Sequence, residues 1–111
     1  FRRFGSRSGL MLVLLDEDEK ASQQAFLFGP PPLGPDAPPL ERLIAFGRER
    51  ICFAHTHREL MSAASRDPHM RHVGAALVLR THVRVLLQTA QTTGDLDLLA
   101  DALLALLDVG Y

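Results

Sequence analysis

A column of residues at helical spacing could form one wall of a small-molecule site. Between positions 46 and 57, aromatic side chains alternate with a cation and an imidazole, as Phe46, Arg50, Phe53 and His57. Small-molecule sites are typically apolar with a few placed polar groups. A buried arginine needs an anionic partner, so we expect Arg50 to bind an acidic effector or to pair with an acid on the first helix. The alternative interpretation is a packed core with one internal ion pair.

Histidine could add a polar contact on a second helix. His82 lies between Val78 and Leu86 on an apolar helical face, and Leu79 lies beside it. A histidine on such a face contacts a ligand or is a hydrogen-bonded core residue, and both interpretations remain open. The predicted ligand-binding residues are Leu14, Phe46, Arg50, Phe53, His57, Leu79 and His82.

Metal and thiol chemistry are not expected. His55 and His57 are two residues apart and diverge on a helix, whereas His69 and His72 could share an ion, but two ligands do not make a structural zinc site. Cys52 is the only cysteine, which excludes an internal disulfide, and it is predicted to face outward and to be inert. We therefore expect no metal, no cofactor and a cytoplasmic location.

Catalysis has little support in the sequence. The chain contains no glycine-rich phosphate loop, nucleophile elbow or metalloprotease motif. The acids at 16–19 point in every direction around a helix and are expected to form a solvated patch. With 111 residues, a net charge of −1 and no apolar run of ~20 residues, the chain predicts one globular domain that is neither an enzyme, a general polyanion binder nor a membrane span.

Helical spacing predominates along the chain, which predicts an all-α bundle of four to five helices. The first helix is expected over about 6–28, with Leu10, Leu14, Ala21 and Ala25 along one side. The proline-rich segment 29–39 forbids a helix and predicts an extended connector.

The later helices are expected over about 39–65, 67–93 and 96–107. The second begins at Pro38 or Pro39 and has two apolar stripes, which predicts a place in the middle of the bundle. The third begins at Asp67-Pro68, and Gly74 could divide it. The fourth is capped by Asp95 or Asp97, and its wide apolar face predicts a homodimer interface formed by Leu96, Leu99, Leu103, Leu106 and Leu107.

The first residues suggest a joint between two helices. The sequence FRRFGSRSGL at 1–10 combines arginines and aromatics with a glycine suited to ending one helix and a serine suited to starting another. Arginines beside the free N–H groups of a helix start favour phosphate contacts, although a solvated basic terminus is the alternative.

This ten-residue stretch resembles the junction between the recognition helix and the connecting helix of tetracycline-repressor-like (TetR) transcriptional regulators. The resemblance implies that 1–8 end the DNA-binding domain and that 9–111 form an effector-binding and dimerisation domain. It places DNA phosphate contacts at Arg2, Arg3 and Arg7. It further implies a homodimer, a small-molecule effector and, in the full-length protein, a DNA operator, with no membrane partner.

The resulting expectation is a ligand-responsive repressor domain in which a molecule between the first three helices changes the spacing of two DNA-reading heads. The ligand would act by preferring one spacing over the other. The rival interpretation is a helical protein–protein interaction module that has no small-molecule ligand.

Overall fold

The chain folds into a bundle of α-helices, as described by a computed structural model. The structure describes residues 7–59, 62 and 73–108, and these contain helices and connecting loops with no strand. The helices are α1 (Arg7–Phe28), α2 (Pro39–Thr56), α3 (Val73–Thr89) and α4 (Leu96–Asp108). The prediction of an all-α bundle is therefore confirmed. None of the described helices is long and apolar enough to cross a membrane.

Several predictions concern residues outside the described part of the chain. They are the phosphate contacts at Arg2 and Arg3, the cap at Ser6, the Asp67-Pro68 helix start, and the histidine pair His69 and His72. Arg7 begins α1, but its side chain is also outside the described set.

Prolines and glycines set the end of α1 and the start of α2 as predicted, whereas α2 ends at Thr56, before the predicted Ser65. The Gly29 amide donates to the carbonyl of Ala25 at 3.0 Å and closes α1. Pro39 occupies the first turn of α2, where its fixed φ fits and its missing N–H costs no hydrogen bond. In the loop between them, a Cβ on Gly34 would lie 1.7 Å from the Gly29 carbonyl oxygen. Only glycine allows that close approach.

The third helix ends four residues before the predicted Thr93. The Thr92 amide donates to the Leu87 carbonyl at 3.0 Å, and Gln91 takes a positive φ of 62°. This is the hydrogen bonding of a left-handed helix terminus, which stops the helix before Gly94. Asp95 then caps α4, because its carboxylate accepts from the Leu98 amide at 3.1 Å.

The core lies where all four helices meet. Phe26 of α1, Phe46 of α2, Val83 of α3 and Ala100 of α4 are fully buried. The closest helix pair is α3 with α4, and α1 makes few close backbone contacts with the others. Ion pairs between Arg80 and Asp101 at 2.8 Å, and between Arg84 and Asp97 at 2.9 Å, run along the exposed side of the α3–α4 hairpin.

Two predicted faces differ from those observed. On α1 the buried residues are Leu15, Glu19, Ser22 and Phe26, whereas Leu14 is 46% exposed, so the predicted stripe is displaced by about one position. The cause is that polar residues occupy half of the buried face, and apolar spacing does not detect them. On α2 the stripe through Leu40, Ile44 and Ile51 is exposed, so the expectation that α2 is surrounded by other helices was wrong for that side.

Candidate functional site

A buried polar cluster joins α1 to α2. Arg50 Nη2 donates to Glu19 Oε1 at 2.7 Å, and Nη1 donates to Ser22 Oγ at 3.2 Å and, more weakly, to Glu19 Oε2 at 3.4 Å. The Ser22 hydroxyl donates to Glu49 Oε1. We call Glu19, Ser22, Glu49 and Arg50 the polar cluster. It contains two carboxylates and one guanidinium, and Glu49 Oε2 is buried with no hydrogen-bond partner among the described residues.

The cluster decides between the two interpretations of Arg50 that the sequence allows. Arg50 and Glu19 are each only 7% exposed, and they bind each other. The expectation that Arg50 pairs with an acid on the first helix is therefore confirmed. The expectation that the acids at 16–19 form a solvated patch was wrong for Glu19. Its ion pair with Arg50 offsets the cost of removing the carboxylate charge from water.

A second pair lies next to the polar cluster. His57 Nε2 is 2.7 Å from Asp18 Oδ2, and His57 Nδ1 is 2.8 Å from the carbonyl oxygen of Phe53. The Phe53 ring stacks on His57 with centroids 4.1 Å apart, and the Arg50 guanidinium carbon lies 4.3 Å from the same ring. The predicted column of Arg50, Phe53 and His57 therefore exists, and its polar groups bind α1.

His82 is buried in an aromatic group with Phe26 and Phe46. Its ring centroid lies 4.3 Å from that of Phe26 and 5.0 Å from that of Phe46. Burial, with a smaller effect of the positive charge on Arg42, lowers the pKa of His82 to about 4. Its Nε2 has no hydrogen-bond partner among the described residues. His82 is thus a neutral polar group next to Phe46, a residue that also lines open space.

A space of about 420 Å³ opens at the C-terminal end of α2, where it is lined by His55, Thr56, His57, Arg58 and Glu59. Two apolar clefts lie on the other side of α2. The larger cleft, of about 220 Å³, is bounded by α2, α3 and α4 and is lined by Leu43, Phe46, Gly47, Val83, Leu103, Leu106 and Leu107. The smaller cleft, of about 120 Å³, is lined by Arg50, Ala76, Leu79, Leu104 and Leu107. Leu107 lines both. A Cβ on Gly47 would meet only the Leu107 side chain, at 3.8 Å, so the absence of a side chain at 47 keeps the larger cleft open.

The clefts bring together only some of the predicted ligand-binding residues. Phe46 lines the larger cleft, and Arg50 and Leu79 line the smaller one. Phe53 and His57 belong to the contact with α1, and Leu14 is exposed. The two apolar clefts lie between α2, α3 and α4 instead of between the first three helices, because aromatic rings and the polar cluster pack the contact between α1 and α2.

Sequence reasoning missed two contributors. Gly47 lines the larger cleft, and a glycine within an apolar helical stripe is a signal that could have indicated it. Arg42 donates from Nη2 to the Phe26 carbonyl oxygen at 2.9 Å and so binds the last turn of α1 to α2. An arginine in the first turn after the proline that begins a helix gives no comparable sequence signal.

The predicted dimer residues separate into two groups. Leu96, Leu103 and Leu107 pack against the core of their own chain. Leu99 is 37% exposed and Leu106 is 67% exposed, and Leu98 beside them is 64% exposed. The outward apolar face of α4 is therefore narrower than the sequence predicts.

The remaining reactive groups among the described residues do not add to the candidate site. Cys52 is free and exposed, as expected. Among the described residues, no group of three histidine, cysteine, aspartate or glutamate side chains could hold a metal ion. Comparison of the chain with models of protein families, with curated proteins and with solved structures found no match in any of the three.

Proposed function

We propose that this chain is the small-molecule-sensing and dimerisation domain of a ligand-responsive transcriptional repressor of the TetR type. The junction sequence at 1–10 supports the regulator class. The observation that carries the sensing role is the larger cleft, an apolar space of about 220 Å³ bounded by three helices. Small-molecule sites are concave and mostly apolar, so an apolar cleft of this kind favours a ligand.

The attachment of α1 supports a role in transmission. This helix leads from the junction sequence, makes few close backbone contacts, and is held by Phe26, Arg42 and the polar cluster. An element held at a few discrete points can change position without repacking a broad surface. A ligand would shift the position of α1 only as far as it binds one arrangement more tightly than the other.

Arg50 provides a physical connection between the two regions. It lines the smaller cleft and also donates to Glu19 and Ser22 on α1. Occupation of the clefts would therefore act on a side chain that holds α1 in place.

The test is a ligand screen by thermal unfolding, with two matched variants. Gly47→Leu places a side chain in the larger cleft, whereas Arg48→Leu adds a leucine at the next position, which is exposed. A ligand of the cleft should raise the melting temperature of the wild type and of Arg48→Leu, but not that of Gly47→Leu, because only binding to the folded state stabilises it. A broad screen without any Gly47→Leu-sensitive ligand would contradict the sensing role.

We further propose a homodimer through the exposed residues Leu98, Leu99 and Leu106 of α4. Exposed leucines grouped on one helix favour contact with another protein surface. Sedimentation of the wild type should show a dimer, and Leu98→Glu, at a residue that lines neither cleft, should shift it toward a monomer. A monomeric wild type at micromolar concentration would contradict the dimer.

The same exposed leucines favour a second candidate, a helical interaction module without a ligand. In that case Leu98→Glu would weaken association, and no compound would give a Gly47→Leu-sensitive response. The two assays together separate the candidates.

A further inference from the structure

The chemistry of the clefts restricts which ligand the proposed sensor can take, and this inference rests on the proposed function. The described residues that line the larger cleft are hydrophobic apart from Gly47. None of these side chains can form an ion pair or donate a strong hydrogen bond. A charged ligand would lose its hydration there without compensation, which is a large cost.

The smaller cleft has one charged lining residue, but its charge is already neutralised. Arg50 donates to both oxygens of Glu19 and to Ser22, and Glu49 lies on the far side of Ser22. An anionic ligand that took Arg50 from Glu19 would leave a buried carboxylate unpaired beside a second one. Removing one partner of a buried pair is strongly unfavourable, so the polar cluster opposes a carboxylate or phosphate ligand.

A cationic ligand finds no partner either. The carboxylates of Glu19 and Glu49 are oriented toward Arg50 and Ser22, and neither residue lines a cleft. Behind the larger cleft, His82 packs against Phe46, and burial lowers the pKa of His82 to about 4, so the imidazole is neutral at pH 7. The polar chemistry within reach of the clefts is therefore uncharged.

From these contacts we infer that the ligand is an uncharged, apolar molecule of about one or two rings. The size follows from the volume, because an apolar cavity of about 150 Å³ accepts benzene and the larger cleft measures about 220 Å³. The smaller cleft, beyond Leu107, can take a short apolar substituent.

Three compounds with the same ring system test the charge class. Indole is neutral, indole-3-carboxylate is an anion and tryptamine is a cation at neutral pH. We expect indole to bind at least about tenfold more tightly than either charged compound, a difference of about 1.4 kcal/mol. Dissociation constants would be measured by ligand-observed NMR on the wild type, Gly47→Leu and Arg48→Leu.

Binding of indole should be lost in Gly47→Leu and kept in Arg48→Leu. Gly47→Ala, whose methyl group fits at ordinary contact distance from Leu107, should give an intermediate loss and serves if the leucine variant does not fold. A charged compound that binds as tightly as indole, with the same dependence on position 47, would overturn the charge class and leave the sensing role standing. If none of the three compounds binds, this inference is overturned. The sensing role fails only if the broad screen also finds no ligand.

Discussion

The two sides of α2 differ in the side chains that they present and in how those side chains are paired. Toward α1, the helix presents Arg50 and His57, and each finds a carboxylate of the same chain within 2.7 Å. Toward α3 and α4, it presents Leu43, Phe46 and Gly47 around a cleft of about 220 Å³. On the first side Arg50 and His57 are paired internally, and the open space at His57 is lined mainly by polar residues. The second side keeps an apolar cleft.

The difference shows why side-chain type alone is a poor guide to a binding site. Charged residues on an apolar stripe suggest a binding site, but here they bind one helix to another. The larger cleft is lined by leucines, one valine, one phenylalanine and a glycine, none of which is distinctive in a leucine-rich sequence. What makes it a candidate site is the space left between these residues.

The largest expected effect comes from breaking the polar cluster. Arg50→Ala leaves Glu19 buried and unpaired, and we expect a loss of about 3–5 kcal/mol in the free energy of unfolding, measured in urea. The double variant Glu19→Leu/Arg50→Met removes both partners of the ion pair and leaves only the Glu49 carboxylate, so it should recover part of that loss. A loss below about 1 kcal/mol in Arg50→Ala would show that this side is not closed by the ion pair.

The second effect is a pH dependence from His82, which packs against Phe26 and Phe46 near Arg42. The pKa of His82 is about 4 in the folded chain, and its ordinary value of 6.5 applies when the chain is unfolded. The unfolded chain therefore takes up the proton first, and stability falls as the pH drops from about 6.5 to about 4. Allowing for partial solvation, we expect a loss on the order of 2 kcal/mol.

The control is His82→Phe, which keeps an aromatic ring and cannot titrate. Unfolding in urea at pH 7, 5.5 and 4.5 would measure both proteins. Equal pH dependence of the wild type and His82→Phe would contradict a buried neutral imidazole at this position.

A smaller effect, of opposite sign, is expected at the larger cleft. Gly47→Ala adds a methyl at ordinary contact distance from Leu107 and removes a glycine from the interior of α2. We expect a gain of about 1 kcal/mol, from helix propensity, as a higher urea midpoint. A destabilised Gly47→Ala would mean that the cleft has no spare room.

The smallest effect is expected from the exposed pair on the polar side. Asp18 has 52% of its side chain exposed, so the contact with His57 is largely screened by solvent. Asp18→Asn should cost about 0.5 kcal/mol at low salt, and less at 1 M salt. A cost comparable with that of Arg50→Ala would place the main attachment of α1 at His57.

Much of the fold could be predicted from local signals. The proline-rich segment marks the end of α1 at Phe28 and the start of α2 at Pro39, and the acid at 95 marks the start of α4. These signals work because proline and capping residues act on the backbone beside them. The end of α3 was missed, since Gln91 in a left-handed conformation has no distinctive sequence signature.

The site was predicted less well, for physical reasons. Apolar spacing placed Leu14 inward, but the buried face of α1 includes Glu19 and Ser22, whose burial depends on partners 27 to 31 residues away. Pairing across that separation is not encoded in local periodicity. The choice between a pocket and a packed core depends on how side-chain volumes fill space, and a single sequence does not give it.

The most direct test is an NMR titration of the wild type with indole, with the leucine and valine methyl groups, the histidine rings and the arginine side chains labelled. The account predicts that the largest shifts fall on Val83, Leu103 and Leu107 in the larger cleft, while the His57 ring is unaffected. Shifts concentrated at His57 and the Arg50 guanidinium, with the cleft methyls unchanged, would contradict it and place the ligand at the polar side of α2.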